Sequence, residues 1–242
     1  MKNDNVIEVA NREFSDIEEF RQFISAKQKI IDKNLLLMTI CEKKKVLDLG
    51  CIDHSSKTAI ELGEKWLHKN IKDIATSTVG FDILADDAAD LNRLGYEIEV
   101  GDAQDFDLKR TFDVVVAGDL IEHLSNVGGF LESVKKHLAN DSVFVFTTPN
   151  PFCIEQVWQA AFNHQVVVNT QHTAWLDPIV SWQVLKRHNL KITGFHWIDT
   201  RFRNYVYSTP WRHLANRVTD SVIKRVPLLR RDFAIIATRD TP

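Results

Sequence analysis

Hydrophobic and polar positions along the chain alternate between short apolar runs and stretches with helical spacing. The runs fall at residues 46–49, 78–84, 96–102, 112–119 and 142–150. Strands that alternate with helices in this way predict a parallel sheet with helices on both faces. Two further strands are predicted at 190–200 and 231–239, and we expect them to pair as an antiparallel hairpin at the sheet edge.

Helices are predicted from periodicity and from capping residues. The residues Ser15 to Glu18 have the pattern of a capping box. Apolar positions then predict one or two amphipathic helices that cover a face or mouth of the domain: Phe20, Ile24, Ile31, Leu35 and Met38. After a cap at Ser55 or Ser56, a single helix is expected to carry four residues inward: Ile60, Trp66, Leu67 and Ile71. Further helices are expected at 85–95, 125–139 and 177–189.

Length and composition allow one large α/β domain or two small ones, and the cysteines indicate a reducing compartment. At 242 residues and 44% hydrophobic content, the chain can bury a full core. The first residues lack the basic and apolar segments of a secretory signal, and no apolar run is long enough for a membrane span. The three cysteines, Cys41, Cys51 and Cys153, show neither disulfide nor zinc spacing, so a cytoplasmic protein is expected.

Charge is distributed unevenly along the chain. Residues 201–231 contain eight basic residues and one acid, Asp220, a net charge of +7 within a chain whose formal charge is −3. Residues 209–231 place apolar side chains on one helical stripe, which predicts a lid or packing helix. The basic excess also leaves open peripheral membrane contact or binding of a phosphorylated or lipid-linked acceptor. Nucleic acid is an unlikely partner because basic residues cluster only here.

The segment VLDLGCIDH, residues 46–54, predicts a strand that enters a nucleotide-binding turn. A dinucleotide site requires the pattern G-x-G-x-x-G, and this turn has only Gly50, with Ile52 and His54 at the following alternate positions. Asp82, at the end of the second strand, is suited to bind both hydroxyls of a ribose. Asp102 follows the third strand, where it could bind an adenine. An adenosine site leaves a nicotinamide-dependent oxidoreductase or an S-adenosylmethionine-dependent methyltransferase, and Ile52 disfavours the first.

Five segments in order, KKVLDLGC, GFDIL, GDAQDFD, FDVVVAGDLIEHL and SVFVFTTPNP, resemble the motifs of class I S-adenosylmethionine-dependent methyltransferases over about residues 44–151. GDLIEHL and TTPNP are similar to the ubiquinone-biosynthesis and small-molecule O-methyltransferase branch. The resemblance implies an α/β, Rossmann-like, seven-stranded and mostly parallel sheet with a reversed last strand. The expected single domain, residues 1–242, comprises the following parts: a helical cover (1–43), the cofactor core (44–151), an acceptor-side region (152–200), a basic insertion (201–230) and a last strand and tail (231–242).

The resemblance also implies a set of residues that contact S-adenosylmethionine. They are Asp48, Gly50, Cys51, His54, Asp82, Ile83, Asp102, Ala103 and Asp119. Asp48 and Gly50 would face the methionine part, and Asp119 the reactive end. Because the family usually has glycines at positions 52 and 54, we expect Ile52 to limit the approach of the methionine tail and His54 to reach its carboxylate.

An acceptor hydroxyl must lose a proton during methyl transfer, which predicts a nearby base. His123 and His172, together with Asp119, are the candidate catalytic residues, whereas His68 is expected to be a surface or packing residue late in a helix. Four donors resemble the metal site of certain 2′-O-methyltransferases: Asp119, Glu122, His123 and His172. A divalent metal is therefore an alternative, but it is not favoured.

The reaction expected on this reasoning is O-methylation of a small molecule or saccharide, with a bacterial surface glycan suggested by resemblance alone. Two other hypotheses stay open at this stage. One is the nicotinamide-dependent oxidoreductase. The other is a degenerate methyltransferase-like subunit that binds a partner without catalysis.

Overall fold

Seven strands form one sheet in the computed structural model, which describes residues 12–198, 219 and 221–240. The spatial order is β3-β2-β1-β4-β5-β7-β6. The strands in chain order are β1 Lys45–Leu49, β2 Ser77–Asp82, β3 Ile98–Val100, β4 Phe112–Gly118, β5 Leu138–Pro149, β6 Leu190–Ile198 and β7 Asp232–Arg239. All pairs from β3 to β5 are parallel, and β7 runs antiparallel between β5 and β6. The predicted Rossmann-like sheet with a reversed last strand is confirmed.

Besides a helical stretch at residues 221–225, the described part of the chain contains eight α-helices. They are α1 Ile17–Ser25, α2 Lys33–Cys41, α3 Ser56–Leu62, α4 Leu67–Ile74, α5 Ala85–Arg93, α6 Val127–Lys136, α7 Ile154–Phe162 and α8 Pro178–Arg187. Ser55 caps α3 and Asp177 caps α8, as expected from the sequence. None of these helices combines the length and the apolar composition needed to cross a bilayer.

The sequence-based account of two helical regions needs correction. Asp16, not Ser15, accepts the first backbone N–H groups of α1, while Ser15 donates to Glu19. Residues 56–74 form two helices and an intervening 3-10 turn, because Gly63 adopts a φ of +52° that ends α3. Ile60 is therefore exposed, although Trp66 and Ile71 are buried as expected.

The N-terminal residues cover the sheet from two sides. In α1, Phe20 is buried and stacks on Trp182 of α8 at 5.0 Å between ring centroids. In α2, Leu36 and Leu37 are buried, whereas Leu35, which periodicity had assigned to the interior, is 45% exposed. The sequence thus predicted the cover but placed the apolar face of α2 one residue early.

Most of the predicted basic segment lies outside the described residues. The described part of this segment, from residue 221, continues through a short 3-10 helix, Pro227–Leu229, into β7. Asn150, at the end of β5, donates from its side-chain amide to the carbonyl oxygens of Leu228 and Arg230. These bonds fix the last residues of the segment beside the carboxyl end of β5.

Candidate functional site

The predicted site residues follow strands that end at the same edge of the sheet. Leu49 of β1 lies in register with Phe81 of β2 and Ala117 of β4. Gly50, Asp82 and Asp119 therefore stand at neighbouring strand ends. In open parallel sheets the carboxyl edge is where ligands bind, so the fold brings the candidates to the expected side.

Gly50 makes the turn after β1 in a conformation that favours glycine. Its φ is +68°, and its N–H donates to the carbonyl oxygen of Phe81 at 2.8 Å. A β-carbon here would lie 2.9 Å from Cδ1 of Leu120. The one glycine retained in the turn is thus needed both for its backbone angle and for the close approach of Leu120.

Asp82 connects the second strand to the turn after the first. One carboxylate oxygen accepts the N–H of Ile52 at 2.8 Å, and the other accepts the N–H of Leu84 at 3.2 Å. Burial raises the pKa of Asp82 and outweighs the opposing effect of these backbone bonds. Ile83 beside it is 67% exposed. Asp82 therefore holds the turn in place from the ribose side of the predicted site.

The side chain of Ile52 lies in the interior and not across the turn. It is 6% exposed and belongs to a buried cluster with Cys51, Ala59 and Trp66. The expectation that this side chain limits the approach of a ligand is therefore wrong. The sequence position alone could not show on which side of the turn the β-branched side chain would pack.

Cys51 is buried, and its carbonyl oxygen accepts the indole N–H of Trp66 at 2.8 Å. Burial, followed by the charges of Asp48 and Asp82, raises the pKa of the Cys51 thiol well above its usual value. The thiol is thus neutral and packed. Its backbone, and not its sulfur, is what the turn can offer a ligand.

His54 extends away from the protein at the far end of the turn. Its φ is +60°, its side chain is 78% exposed, and its Nε2 lies 3.4 Å from the carboxylate of Asp53. The ring therefore contacts solvent more than it contacts the rest of the turn. The predicted contact with a methionine carboxylate stays a prediction.

Asp48 and His68 form a buried pair beneath the turn. Oδ2 of Asp48 lies 2.8 Å from Nδ1 of His68, and both side chains are at most 3% exposed. His68 stands at the beginning of α4, so its assignment to a surface late in a helix is wrong, although it does pack. The bond to His68 keeps the Asp48 side chain in the interior, below the turn where it was expected to face the methionine part of the cofactor.

Asp102 follows β3 after Gly101 and is exposed. Its carboxylate accepts the backbone N–H of Gln104 at 2.9 Å, as in an Asx turn. Ala103 is half-buried against the main core. Asp102 is thus available at the edge of the sheet, and its predicted contact with adenine stays a prediction.

Asp119 lies at the centre of a polar network that sequence reasoning found only in part. Its φ is +52°, Lys33 donates to one carboxylate oxygen at 2.5 Å, and the Thr147 hydroxyl donates to the other at 2.6 Å. Burial favours the neutral acid, but the Lys33 ammonium outweighs it and lowers the pKa of Asp119. Lys33 was not a candidate, because nothing in the sequence of α2 distinguishes it from a surface lysine.

Glu122, His123 and His172 come together beside Asp119. Glu122 is 2% exposed, and its carboxylate accepts the Thr148 hydroxyl at 3.0 Å. The rings of His123 and His172 are perpendicular, with centroids 4.8 Å apart. The loop that carries His172 is fixed by two N–H groups, of Thr173 and Ala174, that donate to the Glu122 carbonyl oxygen. The fold thus joins two predicted histidines that are 49 positions apart in the chain.

The electrostatics of this group favour a neutral acid and a neutral imidazole. Burial, followed by the charge of Asp119, raises the pKa of Glu122 to about 7. Burial and the nearby His123 lower the pKa of His172. One donor atom from each of Glu122, His123 and His172 lies within 4.8 Å of the others, a spread compatible with one shared ligand or ion. Asp119, the fourth predicted metal ligand, is bonded to Lys33 instead and is not in this group.

Comparisons with solved structures show which fold this is. A Mesorhizobium loti S-adenosylmethionine-dependent methyltransferase is 16% identical, with 85% of this chain and 95% of that chain covered and a TM-score of 0.53. Magnesium protoporphyrin IX methyltransferase from Synechocystis, determined with bound SAH, is 11% identical over 85% and 78% of the chains, with a TM-score of 0.54. A Haloferax volcanii methyltransferase in complex with the Trm112 activator is 14% identical over 92% of each chain, with a TM-score of 0.55.

A family model described as a methyltransferase domain matches residues 15–201, which is most of the chain. No curated protein matches this chain. The expected S-adenosylmethionine-dependent methyltransferase assignment, with its cofactor, is confirmed at the level of the family, while the ubiquinone-biosynthesis branch stays a prediction. On the strength of this match and of a sheet whose order and reversed last strand agree with it, the chain belongs to the methyltransferase domain family.

Proposed function

We propose that this protein binds S-adenosylmethionine across Gly50 and Asp82 and transfers its methyl group to an oxygen atom of a small molecule or saccharide. One observation carries the proposal. The Glu122, His123 and His172 group lies at the same sheet edge as Gly50 and Asp82, beyond the neighbouring strand β4. A proton acceptor and a cofactor turn on adjacent strand ends are what methyl transfer to a hydroxyl needs.

The residues of the turn fit an adenosine ligand. Each oxygen of Asp82 accepts one backbone N–H, and a carboxylate oxygen can accept more than one bond, so both retain capacity for ribose hydroxyls. Gly50 leaves the backbone uncovered by a side chain of its own. S-adenosylmethionine has no pyrophosphate, so it does not require the additional glycines of a dinucleotide turn.

The side chains near Asp119 can align an acceptor and remove its proton. S-adenosylmethionine, when bound, supplies a methyl group on a cationic sulfur. Most of the rate gain in such a displacement comes from alignment. Because the pKa of His172 is lowered, its ring is neutral near pH 7 and can accept the acceptor's proton. Asp119 keeps a negative charge on the same side of the site, and His123 lies against the ring of His172.

A divalent cation is a second way to use Glu122, His123 and His172, and we do not favour it. Glu122 is almost fully buried and has a pKa of about 7, so a cation would have to displace a proton from it near neutral pH. Calorimetric titration of the protein with magnesium and manganese ions addresses this point. Binding that is lost in His172→Gln would favour the cation.

Calorimetry with S-adenosylmethionine, S-adenosylhomocysteine and NAD tests the proposal directly. We expect binding of the first two and none of NAD. Binding of NAD alone would indicate an oxidoreductase, and binding of none of the three would indicate a non-catalytic subunit. If the first two bind, incubation with radiolabelled S-adenosylmethionine and phosphorylated or lipid-linked saccharides identifies the acceptor class. The cytoplasmic location and the membrane contact through residues 209–231 stay predictions alongside it.

A further inference from the structure

Exposed apolar side chains are concentrated in one segment of the protein. Of the sixteen large hydrophobic residues that are exposed in the described structure, eight lie between residues 152 and 175. The most exposed are Phe152 at 58%, Trp158 at 56%, Phe162 at 64% and Val166 at 72%. Monomeric proteins seldom expose apolar residues in such a cluster without a partner for it.

Helix α7 presents this surface without packing on the core. None of its nine residues is buried, and the rings of Trp158 and Phe162 lie 4.3 Å apart on the helix. The chain then turns back, because the N–H of Gln165 donates to the carbonyl oxygen of Gln159 and the Gln156 side chain bonds to the Val167 carbonyl. The helix and residues 166–168 thus form one apolar surface, which we call the α7 surface.

The charges on and around the α7 surface differ sharply. Between Phe152 and Trp175, Glu155 is the only residue among Asp, Glu, Lys and Arg. Residues 221–231, by contrast, contain four basic residues and no acid. The Asn150 amide, two positions before Phe152, is bonded to the Leu228 carbonyl, so this basic stretch adjoins the start of the α7 surface. Lys224, Arg225 and Leu228 are exposed there.

We propose that the α7 surface docks on an anionic lipid bilayer, with the exposed cations of residues 221–231 contacting lipid headgroups. Trp and Phe side chains on an uncharged helix face insert at the headgroup boundary, and neighbouring Lys and Arg side chains add attraction to anionic lipid. Binding to another protein would not by itself explain why this nearly uncharged apolar surface lies beside the exposed cations of residues 221–231. An anionic bilayer explains both features. The α7 surface lies outside residues 209–231, for which membrane contact was expected from the sequence, and the proposal shares with that expectation only the cations of residues 221–231.

Docking would bring the bilayer close to the candidate site. The same segment continues into the loop of His172, whose neighbours Thr173 and Ala174 are bonded to Glu122. An amphiphilic acceptor could then present its head group to His172 while its tail stays in lipid. This consequence rests on the proposed function, but the docking itself does not.

Vesicle flotation of the full chain without cofactor tests the docking. The probes are vesicles of phosphatidylcholine alone and vesicles with about one third phosphatidylglycerol, an anionic lipid. We expect the wild type to float with the anionic vesicles, and Trp158→Ser/Phe162→Ser to lose about tenfold or more of that binding. Ile60→Ser/Leu94→Ser, which removes two residues of similar exposure on α3 and beside α5, is the matched control and should float like the wild type.

Three results would overturn the docking. The first is a wild type that floats with neither vesicle, and the second is an equal loss in both double variants. The third is a wild-type dimer in light scattering that becomes a monomer in Trp158→Ser/Phe162→Ser, since a second copy of the chain would then cover the surface. Calorimetry of each variant with S-adenosylhomocysteine separates this proposal from the proposed function, because neither double variant should change the affinity for that ligand.

Discussion

The Nζ atom of Lys33 lies 2.5 Å from the carboxylate of Asp119, although the two residues are 86 positions apart in the chain. Lys33 comes from the N-terminal cover, and Asp119 follows strand β4 at the candidate site. The pair therefore connects the N-terminal helical cover with the part of the chain expected to hold the cofactor. Its charges also explain why Asp119 stays ionised despite the nearby acid Glu122.

Replacing Lys33 by Met should raise the pKa of Asp119 towards its ordinary value. Because the folded-state pKa of Asp119 is lowered, the pair stabilises the protein above pH 4 and loses this effect as the pH falls through the folded-state pKa. The side chains are 28% and 42% exposed, so we expect a loss of no more than about 1 kcal/mol at pH 7. Denaturant unfolding of the wild type and Lys33→Met at pH 7 and pH 3 measures this loss in the free energy of unfolding. Lys29→Met, at an exposed position that forms no ion pair within the described part of the chain, is the control, and an equal loss there would contradict the assignment.

Replacing Glu122 by Gln should stabilise the protein at high pH. The pKa of Glu122 is raised to about 7, so the folded state loses stability as the pH rises from about 4.5 to 7 and the buried acid ionises. Gln keeps an acceptor for the Thr148 hydroxyl without that charge. We expect a gain on the order of 2 kcal/mol at pH 8 that disappears near pH 5.

Thermal unfolding of wild type and Glu122→Gln across this pH range provides the measurement. Glu42→Gln, on the surface after α2, serves as its control and should show no such dependence on pH. A Glu122→Gln variant that is less stable than the wild type at pH 8 would show that the carboxylate is needed in its charged form.

Replacing Asp82 by Ala should weaken binding of S-adenosylhomocysteine by about tenfold or more. The variant loses the two proposed hydrogen bonds from ribose hydroxyls, at about 1 kcal/mol each, and the Ile52 N–H loses its acceptor. Asp86→Ala, in the exposed first turn of α5, is the matched control. Calorimetry gives both affinities. Unchanged affinity in Asp82→Ala would remove this residue from the proposed site.

Replacing Gly50 by Ala should reduce both stability and ligand binding. Its φ of +68° imposes a cost of about 1 kcal/mol on any β-carbon, and this β-carbon would also displace Leu120. Gly95 has a φ of +89° but open space around it, so Gly95→Ala isolates the backbone cost. Unfolding experiments should find a loss of stability in both variants, and the larger loss in Gly50→Ala. Only Gly50→Ala should bind S-adenosylhomocysteine more weakly, and equal binding in the two would argue against a cofactor at this turn.

The strands could be predicted well because each signal is local. Apolar runs such as FDVVVAGD must be buried on both sides in a parallel sheet, and this requirement is visible in consecutive residues. Helix ends were less certain, since a residue such as Gly63 can end a helix inside a continuous apolar pattern. Helix α7 was not predicted, because its side chains do not face the core and no interior face fixes its periodicity.

The sequence by itself determined the order of the strands, the caps of α3 and α8 and the acids that end β2 and β4, because these depend on neighbours within a few positions. Only the tertiary structure decided which groups meet. Lys33 contacts Asp119, His68 lies under Asp48, and His172 faces His123 through packing between distant segments. The direction of the Ile52 side chain was decided in the same way. Such contacts depend on how whole helices and strands pack. The spacing of residues along the chain does not show which distant residues come together.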